Sequence, residues 1–167
     1  MEGEIVNRVA NSKLKTIDLE ELYPEGKRIL LDISDWLYEG LILREKDFRE
    51  KTKNHNWEQY QDAYVALTCS SDAIIPSWAY LLLTAQLKAY AKKVVVGDLK
   101  LLETVIFQEV INSFDVSQFK NLPVIIKGCA NKPIPETAYS LLIIKLQDEA
   151  RSIMYGEACS TVPLFKK

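Results

Sequence analysis

The sequence is poor in the residues that mark several classes of protein. It has one histidine, three cysteines and six glycines among 167 residues, and no glycine-rich loop of the kind that cradles a phosphate group. Its 21 basic and 23 acidic residues are well mixed along the chain, so no basic patch for a nucleic-acid backbone is visible. Nucleic acid is therefore not expected as a partner.

The sequence also lacks the hydrophobic segments that direct or hold a protein in a membrane. Its beginning, MEGEIVNRVANSKLK, does not have the charged and then apolar layout of a signal peptide. No apolar run approaches the ~20 residues that cross a bilayer. We expect a soluble, cytoplasmic protein, and the length and the 48% hydrophobic content predict a single domain over residues 1–167.

Short β-branched runs alternate with longer helical patterns along most of the chain. The predicted strands are 14–19, 28–33, 64–68, 93–97 and 123–127, the predicted helices are 76–91, 99–114 and 135–152, and the tail, 153–165, is predicted to be extended. Strands that alternate with helices of this length imply parallel βαβ crossovers. The predicted fold is α/β: a single-domain, mostly parallel β-sheet with helices packed on its faces, and a less regular N-terminal third.

Two apolar strands bear on the oligomeric state. The valine run 94–96 and the isoleucine pair 125–126 are nearly continuous apolar segments, which is typical of strands covered on both faces. We expect them to be interior and to offer no interface. A homodimer, which the sequence leaves open, would then use a sheet edge from the N-terminal third, whereas the charged segment 44–53 is predicted to be a solvated helix surface.

One stretch of sequence occurs twice in partial form. CSSDAIIPSWAYLL, residues 69–82, is echoed by CANKPIPETAYSLL, residues 129–142. Proline suits the first helical position because its missing N–H would be unpaired there. Each copy thus encodes a strand end, a cysteine-bearing loop and a helix start. Open parallel sheets bind ligands at the carboxyl ends of their strands, so we expect the two thiols to meet at one edge.

A third cysteine extends this pattern to a candidate metal site. Cys159 again leads through hydroxyl residues to a proline, so Cys69, Cys129 and Cys159 are the predicted ligands. Three thiolates suit zinc or iron, and a fourth ligand would complete a tetrahedron. The candidates for the fourth ligand are His55, Asp72, Asp98 and Glu157.

Two other interpretations of the cysteines stay open. Free cysteine is among the most buried residue types, so the three thiols could be structural packing in a non-catalytic interaction module. A nucleophilic thiol is the less favoured alternative, because no histidine base lies near any cysteine in the sequence. Whether the chain is an enzyme is left undecided by these observations.

Four segments resemble an uncharacterised bacterial family, the domain of unknown function 2480. They are DWLYEGLILREKDFR at 35–49, ALTCS at 66–70, IKGC at 126–129 and MYGEACSTVPL at 154–164. The resemblance covers the whole chain and includes all three cysteines. The family is typical of Bacteroidetes, and its genes are associated with those of iron–sulfur cluster assembly. The resemblance therefore implies an accessory in that process, with iron–sulfur assembly proteins as partners and a metal ion or a transient cluster as cofactor.

Overall fold

The computed structural model describes residues 13–128, 131–157 and 159–167. The described strands are β1 Lys15–Ile17, β2 Arg28–Asp32, β3 Tyr64–Thr68, β4 Lys93–Val96, β5 Pro123–Ile126, β6 Ser152–Glu157 and β7 Ser160–Lys166. The described α-helices are α1 Glu45–Asn54, α2 Ser77–Leu87, α3 Leu99–Ser113 and α4 Glu136–Gln147. None of these helices combines the length and the apolar character needed to cross a membrane.

The chain divides into two compact units, one of which interrupts the other in sequence. We call Met1–Tyr23 with Ile106–Lys167 the split unit, and Pro24–Val105 the inserted unit. The inserted unit holds a parallel sheet of order β2-β3-β4, and the split unit holds a sheet of order β1-β5-β6-β7 in which only β7 is antiparallel. The predicted α/β class with mostly parallel strands is confirmed, and the strands form two sheets.

The two units repeat one arrangement of three parallel strands. In the inserted unit β3 pairs with β4 from Tyr64↔Lys93, and in the split unit β5 pairs with β6 from Pro123↔Ser152. Both strands of the second pair are shifted by the same 59 residues that separate Pro76 from Pro135. The echo in the sequence therefore belongs to a repeated structural unit that extends well beyond the quoted residues.

A matching turn precedes the central strand of each unit. Asp62 has a φ of 58° and Asn121 a φ of 57°, in the left-handed region that these two residue types tolerate better than most. The N–H of Asp62 donates to the carbonyl of Tyr90, and the N–H of Asn121 donates to the carbonyl of Glu149. The same backbone device thus fixes the entry to β3 and to β5.

Each unit buries its own apolar core against one face of its sheet. In the inserted unit Phe48 of α1 and Leu83 of α2 are fully buried with Val65 of β3. In the split unit the same positions are taken by fully buried residues of α3, α4 and β5, namely Phe107, Leu142 and Val124. Segment 44–53 is indeed mostly exposed, but Phe48 and Thr52 give α1 a buried side.

Helices α2 and α4 each begin directly after a proline, one residue later than predicted. Pro76 and Pro135 are the N-cap residues of α2 and α4, with ψ values of 142° and 143° in the extended region. The carbonyl of each proline accepts the first hydrogen bond of its helix, from Ala79 and from Ala138. The fixed φ of proline and the absence of an N–H make it compatible with this position.

The C-terminal part of the chain departs from the prediction in two ways. Helix α4 ends at Gln147, short of the predicted 152, because Ser152 already begins β6. The extended tail is two strands, β6 and β7, which pair antiparallel.

The expectation that the valine run 94–96 is interior is wrong. Strand β4 lies at the end of its three-stranded sheet and pairs with β3 alone in the described part of the chain. Val96 is 47% exposed, whereas Ile125 and Ile126 in the central strand β5 are buried as expected. An all-valine run is suited to a covered strand, but it does not specify how many neighbours that strand has.

One lysine fastens α4 to the end of α3 within the split unit. The Lys145 ammonium donates hydrogen bonds to the carbonyls of Ile111, Asn112 and Phe114, at 2.9, 2.7 and 2.6 Å. The last carbonyls of a helix have no partner within the helix, and a cation there also complements the helix dipole.

We predict that Lys145→Met lowers the free energy of unfolding by about 1 to 3 kcal/mol, since hydrogen bonds to a charged group are lost and partly buried carbonyls are left unpaired. Urea titration followed by circular dichroism measures the change. Lys120→Met, at an exposed lysine near the same helix end, is the matched control and should change stability by less than about 0.5 kcal/mol. Equal stability of the two variants would contradict the assigned role of Lys145.

Candidate functional site

Charged side chains gather at the carboxyl ends of the parallel strands in the split unit. Asp18 directly follows β1, Lys127 directly follows β5, and Glu157 is the last residue of β6. The Lys127 ammonium lies 2.7 Å from the Asp18 carboxylate and donates a hydrogen bond to it. Because β1, β5 and β6 are parallel neighbours, their ends meet at one edge of the sheet.

The ion pair shifts the pKa values of both partners in opposite directions. Burial acts to raise the pKa of Asp18, but hydrogen bonds from Lys127 and from the N–H of Glu20 outweigh it, and the net pKa is lower than usual. The hydrogen bond to Asp18 raises the pKa of Lys127, and the negative charge of Glu157 acts in the same direction. The Glu157 carboxylate is therefore close enough to interact electrostatically with the Lys127 ammonium.

The loop after β5 is anchored to the turn after β1. The Glu20 carboxylate accepts hydrogen bonds from the backbone N–H groups of Asn131 and Lys132. On the other side, the Tyr155 hydroxyl donates to the carbonyl of Gly128 at 3.2 Å. A Cβ atom at Gly128 would lie 2.9 Å from the Tyr155 ring, so glycine allows this close approach.

Two of the three cysteines predicted as metal ligands belong to this unit. Cys159 is an exposed free thiol between β6 and β7. Cys129 follows Gly128 in the sequence and lies outside the described residues. Both cysteines belong to the split unit and come shortly after neighbouring parallel strands.

The inserted unit has an aspartate at the matching strand end, with different partners. The Asp32 carboxylate accepts hydrogen bonds from the N–H groups of Ser34 and Ser70, at 2.9 and 3.0 Å. Burial acts to raise the pKa of Asp32, but the hydrogen bonds from Ser70 and Ser34 outweigh it and lower the pKa to about 2. Asp32 is thus an ionised clamp between the turn after β2 and the loop after β3.

Cys69 lies beside this clamp. It is a partly buried free thiol that packs against the core of the inserted unit. Burial raises the pKa of Tyr80, and the nearby charges of Cys69 and Asp32 add to the effect. The Ser71 hydroxyl donates to the carbonyl of Gly40, which ties the cysteine loop to the segment after β2.

The expectation that Cys69 and Cys129 share one sheet edge is wrong. The strands that precede them, β3 and β5, belong to different sheets. The two thiols are also not equivalent in the repeat, because the 59-residue shift aligns Cys69 with Gly128 and Ser70 with Cys129. The described residues contain no group of three or more Cys, His, Asp and Glu side chains that could hold a metal ion.

The remaining candidate ligands already have structural partners or lie on open surface. His55 accepts or donates a hydrogen bond with the Tyr60 hydroxyl at 2.8 Å and packs against Trp36 and Trp57, and burial lowers its pKa. Asp98 accepts a hydrogen bond from the N–H of Leu101 and so caps α3. Exposed Asp72 lines a shallow groove with apolar residues of the inserted unit.

The sequence alone did not point to Asp18, Asp32 or Lys127 as residues of the strand-end clusters. A sequence pattern could have indicated Asp18 and Asp32. In Ile17-Asp18-Leu19 and Leu31-Asp32-Ile33, an aspartate lies between two apolar residues at the end of a predicted strand. Lys127 carried no such signal, since a lone lysine at a strand end is usually solvated.

These observations define an α/β protein with a repeated unit, in which an aspartate lies at the carboxyl end of one parallel strand and a cysteine comes shortly after the next strand in the sequence. The chain belongs to the family described as protein of unknown function, DUF2480, whose model matches residues 3–167. Comparisons with curated proteins and with solved structures found no match.

We predict that Asp32→Asn destabilises the protein more at neutral pH than in acid. Because the pKa of about 2 in the folded state lies below the ordinary 3.8, the ionised carboxylate stabilises the fold above pH ~4, and this stabilisation is lost as the pH falls toward 2. The expected loss at pH 7 is about 1 to 2 kcal/mol, measured by urea unfolding.

The same titration at pH 3 should show about half of the difference between Asp32→Asn and wild type, because pH 3 lies between the pKa of about 2 in the folded state and the ordinary 3.8. Asp35→Asn, at an exposed carboxylate on the same turn, is the control and should change stability little at either pH. A destabilisation by Asp32→Asn that does not vary with pH would contradict the clamp.

Proposed function

We propose that this protein binds a thiophilic metal ion, zinc or iron, or transiently an iron–sulfur cluster, and serves as an accessory in iron–sulfur cluster assembly or trafficking. The binding thiols are those of Cys129 and Cys159 in the split unit. The observation that supports this proposal is the exposed Cys159 thiol, which follows β6, the parallel neighbour of the strand that precedes Cys129. Two thiols after adjacent strand ends match the usual position of ligands in open parallel sheets.

Ligand chemistry favours a soft metal and an incomplete site. Thiolates prefer zinc, iron and iron–sulfur clusters over hard cations such as magnesium. Glu157 is an oxygen ligand of the right kind in the same unit, two residues before Cys159. Two thiolates and one carboxylate leave a fourth position, which an iron–sulfur assembly partner could fill during transfer.

The proposal does not require Cys69. This thiol belongs to the inserted unit, beside the Asp32 clamp, and is partly buried against the core of that unit. We therefore assign Cys69 to packing, and narrow the predicted ligand set from three thiols to two.

The alternatives fit the described residues less well. An interaction module with buried structural cysteines does not account for an exposed Cys159. A thiol enzyme needs a base, and the only histidine, His55, is held by Tyr60 within the aromatic cluster of the inserted unit.

We predict that anaerobically purified protein binds about one zinc or ferrous ion per chain. Cys129→Ser and Cys159→Ser should each weaken the affinity at least tenfold, because a hydroxyl is a poor ligand for these ions. Metal content by plasma mass spectrometry and competition with a chromogenic chelator measure both quantities.

Cys69→Ser is the matched control and should bind metal like the wild type. Reaction with a thiol probe in the folded state provides a second readout, in which bound metal should protect Cys159 but leave Cys69 unchanged. Wild-type protein without metal after reconstitution, or undiminished affinity in Cys159→Ser, would show the proposal to be wrong.

A further inference from the structure

The outer edge of β4 is available for pairing in the described part of the chain. The N–H of Gly97 donates to the carbonyl of Leu67 at 2.9 Å, so Gly97 and Val95 direct their backbone groups toward β3. Backbone groups of successive strand residues point to opposite sides, so those of Val94 and Val96 point away from β3. Strand β4 thus presents the backbone N–H and C=O groups of Val94 and Val96 along the outer edge of its sheet.

The repeat shows what kind of element fits this edge. Strand β6 corresponds to β4, and its outer edge carries β7 as an antiparallel neighbour. Ile153 of β6 is fully buried, whereas Val94 at the equivalent position is only partly buried. The inserted unit has no strand of its own in the place of β7, since its described strands are β2, β3 and β4.

Apolar side chains continue the edge beyond the end of the strand. Three apolar side chains within the six residues 96–101 are exposed: Val96 by 47%, Leu99 by 40% and Leu101 by 44%. Leu101 lies directly over Gly97, where an added Cβ would meet its Cδ2 atom at 2.6 Å. Three exposed apolar residues beside a strand edge that no described residue pairs with are typical of an interaction surface.

We propose that β4 pairs antiparallel with β4 of a second copy of this chain, so that the two sheets of the inserted units become one continuous sheet. With Val95 at the two-fold axis, Val94 of each copy lies opposite Val96 of the other. These outward-facing pairs exchange about four backbone hydrogen bonds. The interface buries Val96 and, with it, the neighbouring leucines.

The strand is self-complementary, which favours a second copy as its partner. Cross-strand pairs of β-branched residues stabilise a sheet, and the proposed register pairs valine with valine throughout its centre. It places Lys93 opposite Gly97, so the two lysines are about 14 Å apart along the strands and do not oppose each other. By contrast the outer strand β7 contains Pro163, which lacks an N–H and is typical of an edge protected from pairing.

The first test is the mass of the full chain in solution. Sedimentation velocity at about 10 to 200 μM should give twice the 19.1 kDa of one chain. Val96→Pro should give the mass of one chain, because proline removes an outward donor but none of the hydrogen bonds to β3. Val96→Lys should do the same by placing like charges in the interface.

The matched control is Ile74→Lys, at the 94% exposed Ile74 elsewhere in the inserted unit, which should keep the dimer. Circular dichroism and thermal unfolding verify that each variant is folded. Val95→Cys gives a direct test of the register. Opposed residues at a non-hydrogen-bonded position lie about 4.5 Å apart at Cα, within disulfide range, so oxidation should link residue 95 to residue 95.

Several results would overturn the proposal. Wild-type protein with the mass of one chain at every concentration would do so, and hydrogen exchange would then show whether another segment of the chain protects Val94 and Val96. A dimer that persists in both Val96 variants would place the interface elsewhere. A dimer in which Val95→Cys forms no 95–95 link, as analysed by peptide mass spectrometry, would exclude this pairing.

Discussion

The structure depends on two central strands, β3 and β5, each of which pairs in parallel on both sides. Parallel neighbours cannot be joined by a tight turn, so each unit must send a helix back across the sheet before the next strand begins. That return buries α2 and α4 on the sheets through Leu83 and Leu142. It also directs the carboxyl ends of all parallel strands in a unit to the same edge, which is why Asp18 meets Lys127 and Asp32 meets Ser70.

The two units share a backbone plan but differ in the chemistry of that edge. At the end of the central strand, the sequence of one unit reads Thr68-Cys69-Ser70 and that of the other reads Lys127-Gly128-Cys129 at the same register. Asp32 is therefore paired with neutral N–H groups, whereas Asp18 is paired with an ammonium group. The repeat fixes where side chains are presented, and differences at single positions decide which chemical groups each edge carries.

Much of the fold could be predicted, because apolar runs bounded by polar residues mark strands and helices locally. Strand β3 occurs over the predicted residues 64–68, and α3 ends one residue before the predicted 114. The end of α4 was overestimated, since its helical pattern continues into the residues where β6 competes for the chain. The candidate site was predicted only in part: Cys69 and Cys159 follow strands as expected, but no local pattern assigned the predicted strands to separate sheets.

The sequence by itself determined the α/β class, the alternation of elements and the repeated helix start at Pro76 and Pro135, because these depend on neighbours within a few residues. Only the tertiary structure decided which strands lie side by side. Hydrophobic periodicity specifies that a face is buried, but strand order is set by competition among distant segments. That competition placed the strands before Cys69 and Cys159 in different sheets, and it left the valines of β4 at the edge of a sheet instead of its centre.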